Sequence, residues 1–172
     1  MNIEYVCVKG RICDGGNEKL RYKIEIPQIE GVDAVNELCR SVMSECENFC
    51  RQELLERVLG GEIKIGVRYF YSLEWVITHM DSAFAGSVIS VCLREEGQRI
   101  VEQFYPCFWE LTSGMLISAA DVLRAYRQKG VKYPRGEKIF LLDGKIERLD
   151  SFDKNAMRCL IAQKRQKQEC RA

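Results

Sequence analysis

The chain has a single histidine and no Cys-x-x-Cys pair. It also lacks a Walker-type phosphate loop, a dinucleotide fingerprint and a zinc-protease helix. Those absences remove the sequence signals of the commonest phosphate, redox-cofactor and zinc chemistries, and they leave Gly15-Gly16 and Gly60-Gly61 as punctuation. Charge of one sign is lacking too. The 26 basic and 25 acidic residues leave a net charge of +1, so nothing global draws the chain to nucleic acid or to an anionic membrane. No apolar run reaches the length of a membrane span, and Met1-Asn2-Ile3-Glu4-Tyr5 is not a basic region leading into an apolar stretch. The expected location is the cytoplasm.

Cysteine is plentiful instead, at nine among 172 residues. The number is odd and the chain is long enough to bury a core without staples, so buried thiols in a reducing compartment are expected rather than a disulfide framework. Cys39, Cys46 and Cys50 lie at helical spacing and Cys92 lies among strand formers; free cysteine packs there as a small hydrophobe. Cys46 and Cys50, one helical turn apart, could instead share a metal ion, but the short zinc spacings are missing. No metal or cofactor is assigned.

The longest stretch with one period runs from Asp33 to Leu59. Val35, Leu38, Cys39, Val42, Met43, Cys46, Phe49 and Cys50 recur at spacings of three and four, opposite Glu37, Arg40, Ser44, Glu45, Glu47, Asn48 and Arg51. This predicts an amphipathic helix, begun by Asp33 and stopped by Gly60-Gly61, whose stripe must cover a sheet. Glu53 breaks the stripe near its end.

Before it, Ile3 to Val8 and Lys19 to Ile26 flank Cys13-Asp14-Gly15-Gly16-Asn17 and predict a hairpin that Pro27 ends. After it, Glu62 to Met80 alternates over more residues than one strand commonly has, predicting a bend near Gly66 or a break around Ser72. Ser87 to Arg94 and Arg99 to Phe108 predict a second hairpin. Ser118 with Asp121 predicts a capped helix through Gln128. Asp143-Gly144 joins Lys138–Leu142 to Lys145–Leu149, and a last helix runs from Ser151 or Asp153 to about Gln166 with a fraying basic tail. No repeat or linker interrupts residues 1–172. The expectation is one α+β domain: an antiparallel sheet, made of an N-terminal hairpin, a central meander and a C-terminal hairpin, packed against one long and two shorter helices.

His79 near Asp81 invites a catalytic reading with a cysteine nucleophile. The competing reading is a hydrogen-bonded histidine at a strand end, because no cysteine stands in a nucleophile motif; no catalytic residue is assigned and an enzyme is not expected. Aromatic crowding points elsewhere. Neighbours on a strand face opposite ways, so Tyr69-Phe70-Tyr71 and Phe104-Tyr105 cannot all lie under one helix. The C-terminal helix or another protein must cover the second face. Tyr69, Tyr71, Trp75, Tyr105 and Trp109 are the partner-binding candidates, for a protein that could be a second copy of the chain. The basic tail, without interleaved aromatics, is not a nucleic-acid contact.

Two stretches carry a family resemblance. Ile26-Pro27-Gln28-Ile29 leading through Gly31 into a helix with Asn36 resembles the opening of the RsiV-type domain. Val88-Ile89-Ser90-Val91, then Leu111-Thr112-Ser113-Gly114-Met115-Leu116-Ile117-Ser118 with Asp121-Val122-Leu123, is similar to that family's Ser-Val strand and Thr-Gly element. The likeness covers Arg21 to Leu123; Arg94 to Gln98 is a bare turn where family members carry an insertion. This bacterial domain forms the outer part of lysozyme-sensing anti-sigma factors, and a related one accompanies peptidoglycan deacetylases of the PdaC type. The resemblance implies an α+β fold and a non-enzymatic, protein-binding or regulatory role. Alternatives are an envelope sensor or cell-wall accessory domain, which would bind a muramidase or peptidoglycan, and a cysteine-dependent hydrolase.

Overall fold

A computed structural model describes residues 2–54, 56–57, 60, 66–125 and 138–169. The fold is α+β. Strands β1 (Ile3–Asp14), β2 (Asn17–Ile29), β3 (Tyr69–Met80), β4 (Phe84–Glu95), β5 (Gln98–Glu110) and β6 (Met115–Leu116) form one sheet in that order, and β7 (Ile139–Leu142) and β8 (Lys145–Arg148) form a two-stranded sheet. Helix α1 (Asp33–Phe49) follows β2, α2 (Ala119–Ala125) follows β6, and α3 (Lys154–Glu169) ends the described chain.

Three hairpins close on two left-handed residues each, Gly15-Gly16, Glu96-Gly97 and Asp143-Gly144, the backbone that matches strand twist. With only two turn residues, the first hairpin is longer than its composition suggests: the ladder runs from Ile3↔Ile29 to Asp14↔Asn17. Pro27 does not end β2. It lies beyond Glu25↔Glu74, the last pairing of β2 with β3, so its missing N–H costs that ladder nothing. Ser72 does not break β3 either, and the irregularity falls between Ile77 and His79. Residues 61–65 of the expected strand lie outside the described residues, and β3 begins after the turn at Gly66.

The sheet is not wholly antiparallel. β2 and β3 pair in parallel, from Leu20↔Tyr69 to Glu25↔Glu74, because α1 carries the chain back between them. Leu20, Tyr22, Ile24 and Ile26 of β2 and Tyr69, Leu73, Trp75 and Ile77 of β3 form the face that α1 covers with Val35 and Cys39. Asp33 is the first helical residue rather than a cap; Val32 is the N-cap and no side chain caps it. Asn36 ties α1 to the sheet instead, its Oδ1 accepting from Ile29 N–H at 2.7 Å and its Nδ2 donating to Ile29 C=O at 2.8 Å. The break at Glu53 has a structural counterpart. Residues Cys50–Leu54 form one wide π turn, which re-phases the stripe so that Cys50 and Leu54 are buried while Glu53 is exposed.

The second face is covered from within the chain. Val76, Val88 and Phe104 meet Phe140 of β7 and Met157 and Ile161 of α3. Gly86 admits β7: a Cβ there would stand 2.6 Å from that of Leu141. Two buried carboxylates on this face, Glu25 and Glu102, are each gripped by an arginine of α3, Arg165 and Arg158. The basic tail therefore does not fray at Gln166; Gln168 Nε2 still donates to Ile77 C=O at 2.8 Å. Asp153 caps α3 through Ala156 N–H at 2.7 Å. Ser118 and Asp121 form the expected reciprocal box at the start of α2, whose expected extension to Gln128 lies outside the described residues.

Candidate functional site

Four of the five aromatic candidates belong to the core. Tyr69, Tyr71, Trp75 and Trp109 are buried on the face beneath α1; the period of two gives every second residue of β3 to that face, and Trp109 reaches it from β5. Trp75 stacks on Trp109, with ring centroids 5.3 Å apart, and its Nε1–H donates to Ser87 Oγ at 2.8 Å. As partner contacts these four are corrected to packing residues. Tyr105 is the exception: on β5 it pairs with Ile89 of β4 and stays exposed.

Tyr105 marks the site that the fold leaves open. β6 pairs with β5 only at Trp109 and Glu110, so from Gln98 to Phe108 the outer edge of β5 has no strand neighbour among the described residues. Ile117 N–H donates to Phe108 C=O at 3.0 Å, which fixes the outward phase of the backbone. By alternation Phe104 and Glu102 also turn their N–H and C=O outward, and Pro106 a C=O alone. A register shift at Arg94 leaves Ile100 unmatched, between Arg94↔Arg99 and Leu93↔Val101. Bulge and proline thus bound a short, pairing-competent window, Val101–Tyr105.

Every exposed large hydrophobic residue among those described borders this edge: Ile100, Val101, Tyr105, Met115 and Leu116, from 41% exposed at Tyr105 to 66% at Met115. Beside Pro106 an apolar groove of about 350 Å³ opens between Cys107, Phe108, Leu116, Ile117 and Ile139. The sequence carried a signal for the residues it did not nominate. Ile100-Val101 and Met115-Leu116 are adjacent apolar pairs, whose members face opposite ways on a strand and would each need a covering layer. Charge around the edge is uneven. Glu102 faces Arg158, Arg99 and Lys154, which with Arg158's hydrogen bonds hold its carboxyl below the usual range. Lys138 Nζ lies 5.9 Å from the Tyr105 ring centre.

His79 lies in a second cleft, of about 520 Å³, formed by the ends of β3 and α3 and the β7–β8 turn, with Thr78, Asp143, Lys164, Lys167 and Gln168. His79 Nε2 is 3.3 Å from Asp81 Oδ2. Among the described residues no cysteine lines this cleft. The described thiols lie elsewhere and several are held neutral by burial: Cys39 and Cys50 are pushed up to about 12, Cys107 to about 11, and Cys46 upward. Such thiols are poor nucleophiles. Among the described residues no three metal-ligating side chains are grouped, at Cys46 and Cys50 or elsewhere. The lone histidine and the buried cysteines do not meet, so the geometry for a thiol–imidazole nucleophile is missing from the described residues.

Comparison of the chain with protein-family models and with curated proteins finds no match to either. No helix of the described residues is long and apolar enough to cross a membrane.

Proposed function

We propose that this chain is a non-enzymatic protein-binding domain, related to the RsiV type, that engages its partner along the outer edge of β5. The observation that carries the reading is the gathering on β5 and β6 of all five large hydrophobics that are exposed among the described residues. Apolar side chains scattered singly over a surface need no explanation, but a cluster along a strand edge without a neighbour among the described residues does. An extended segment added there would gain main-chain hydrogen bonds from Glu102 and Phe104 and cover Val101 and Tyr105. Free thiols in place of a disulfide framework fit a reducing, cytoplasmic compartment.

The test compares tagged wild type with an Ile100→Lys/Leu116→Lys variant and with His79→Ala, as baits against separate cytosolic and envelope fractions of the source cell. Capture of a cytosolic protein by wild type and His79→Ala, and its loss with the edge variant, is the expected result. Capture that ignores the edge substitutions overturns the reading. A muramidase or cell-wall enzyme taken from the envelope would instead assign the chain to an envelope-sensing role.

A further inference from the structure

The geometry points to an extended segment rich in acidic residues, with an apolar side chain at one end, as the class of partner that β5 accepts; this rests on the protein-binding reading above. Three observations combine. Among the described residues the ladder positions open to a new strand are few, Glu102 and Phe104 between the bulge at Ile100 and Pro106, so main-chain bonding gives a docking site but little selectivity. The charges beside that window are unbalanced: Arg99, Lys138, Lys154 and Arg158 stand against Glu102 and Asp153. Glu102 is already engaged by Arg158 and Arg99. A strand bringing carboxylates meets the net excess of cations that Lys138 and Lys154 leave once Arg158 and Arg99 share Glu102, whereas one bringing lysines adds to that excess. Beyond Pro106, where pairing stops, the groove between Phe108, Leu116 and Ile139 offers apolar walls with Lys138 at its rim. A segment running along β5 would therefore end its pairing where a leucine-sized side chain can be buried.

The same charges argue against a second copy as occupant. Two β5 edges laid together would bring like sets of arginine and lysine into one interface, and Pro106 would leave a carbonyl without a donor in each copy.

The experiment uses uniformly ¹⁵N-labelled full-length protein and two amidated peptides: one alternates valine and glutamate and ends in leucine, and the other carries lysine in place of glutamate. Expected are amide shifts at Val101–Tyr105 and Ile117–Ala119 with the glutamate peptide, an affinity about tenfold above that of the lysine peptide, and weakening as salt rises. Reversal of the preference in Arg99→Glu/Lys138→Glu, both exposed positions, would follow. Equal shifts at β5 from both peptides overturn the acidic class while leaving the edge as a protein-binding site. Shifts from neither peptide at β5, or shifts confined to the His79 cleft, overturn both the inference and the reading beneath it.

Discussion

Arg158 grips Glu102 side-on: its Nε–H donates to Oε1 at 2.7 Å and an Nη–H to Oε2 at 2.8 Å. The arginine comes from α3 and the carboxylate from β5, 56 residues earlier, so one planar pairing docks the last helix on the edge strand of the candidate site. Arg165 repeats the grip on Glu25 of β2, two helical turns along. α3 is thus pinned at both sides of the sheet.

Removing the carboxylate should be costly. Glu102→Ala removes the buried carboxylate that the half-exposed Arg158 and Arg99 share and, with solvent screening the arginines left behind, is expected to destabilise the fold by about 1 kcal/mol. Urea unfolding followed by tryptophan fluorescence measures it; a change below a few tenths of that would show the pair to be solvated.

Acid should unfold the protein through the same groups. Glu102 lies below its ordinary carboxylate value, chiefly because of Arg158's hydrogen bonds. Glu47 is lowered by Tyr22 and Arg51, and Asp143 by Lys164. A carboxyl depressed in the fold contributes fully above its unfolded pKa, about 4.3 for glutamate, and loses that contribution as pH falls through the folded value. Thermal midpoints are expected to hold from pH 7 to about pH 5 and to drop below it, less steeply in Glu102→Gln. An unchanged slope in that variant would remove Glu102 from the account.

The two tryptophans should respond differently to loss of the indole N–H. Trp75 donates to Ser87 Oγ, while Trp109 Nε1 is buried with no partner among the described residues. Ser87→Ala should cost about 1–2 kcal/mol by orphaning a buried donor, and Trp109→Phe should cost less than Trp75→Phe despite equal burial. Equilibrium denaturation of the three variants decides it.

Gly86→Ala tests the docking of β7. The added methyl would stand 2.6 Å from Leu141 Cβ, so β7 must shift to admit it, and an expected loss of about 2 kcal/mol follows. Hydrogen exchange should quicken at Ile139–Leu142 before it quickens in β1. Uniform quickening would mean that β7 is not a separate layer energetically.

Thiol reactivity should divide by burial. Iodoacetamide at pH 7.5 is expected to label the exposed Cys7, Cys13 and Cys159 of the native protein and to spare Cys39, Cys46, Cys50 and Cys107 until urea is added. Rapid native labelling of Cys46 or Cys50, found by peptide mass spectrometry, would restore the thiol as a candidate for chemistry.

Much of the architecture was legible locally. The stripe from Val35 to Cys50 announces α1, Ser118 and Asp121 announce α2, and Asp143-Gly144 announces the last hairpin, because each pattern is written within a few residues by backbone sterics and side-chain period. Even the disturbance at Glu53 showed in the sequence, as a polar residue on an apolar stripe, although the wide turn that answers it did not.

Pairing across distance was not legible. That β2 meets β3 in parallel depends on where α1 sets the chain down, and that Pro27 is harmless depends on where their pairing stops. Tyr71 and Tyr105 look alike as aromatic strand residues and share one face of the sheet. Only the order of strands makes one a core residue beneath α1 and the other an exposed residue at the open edge. Residue type and period determine which side chains can turn inward. Which of them find a covering layer is decided by the placement of whole elements, and therefore so is the surface left for a partner.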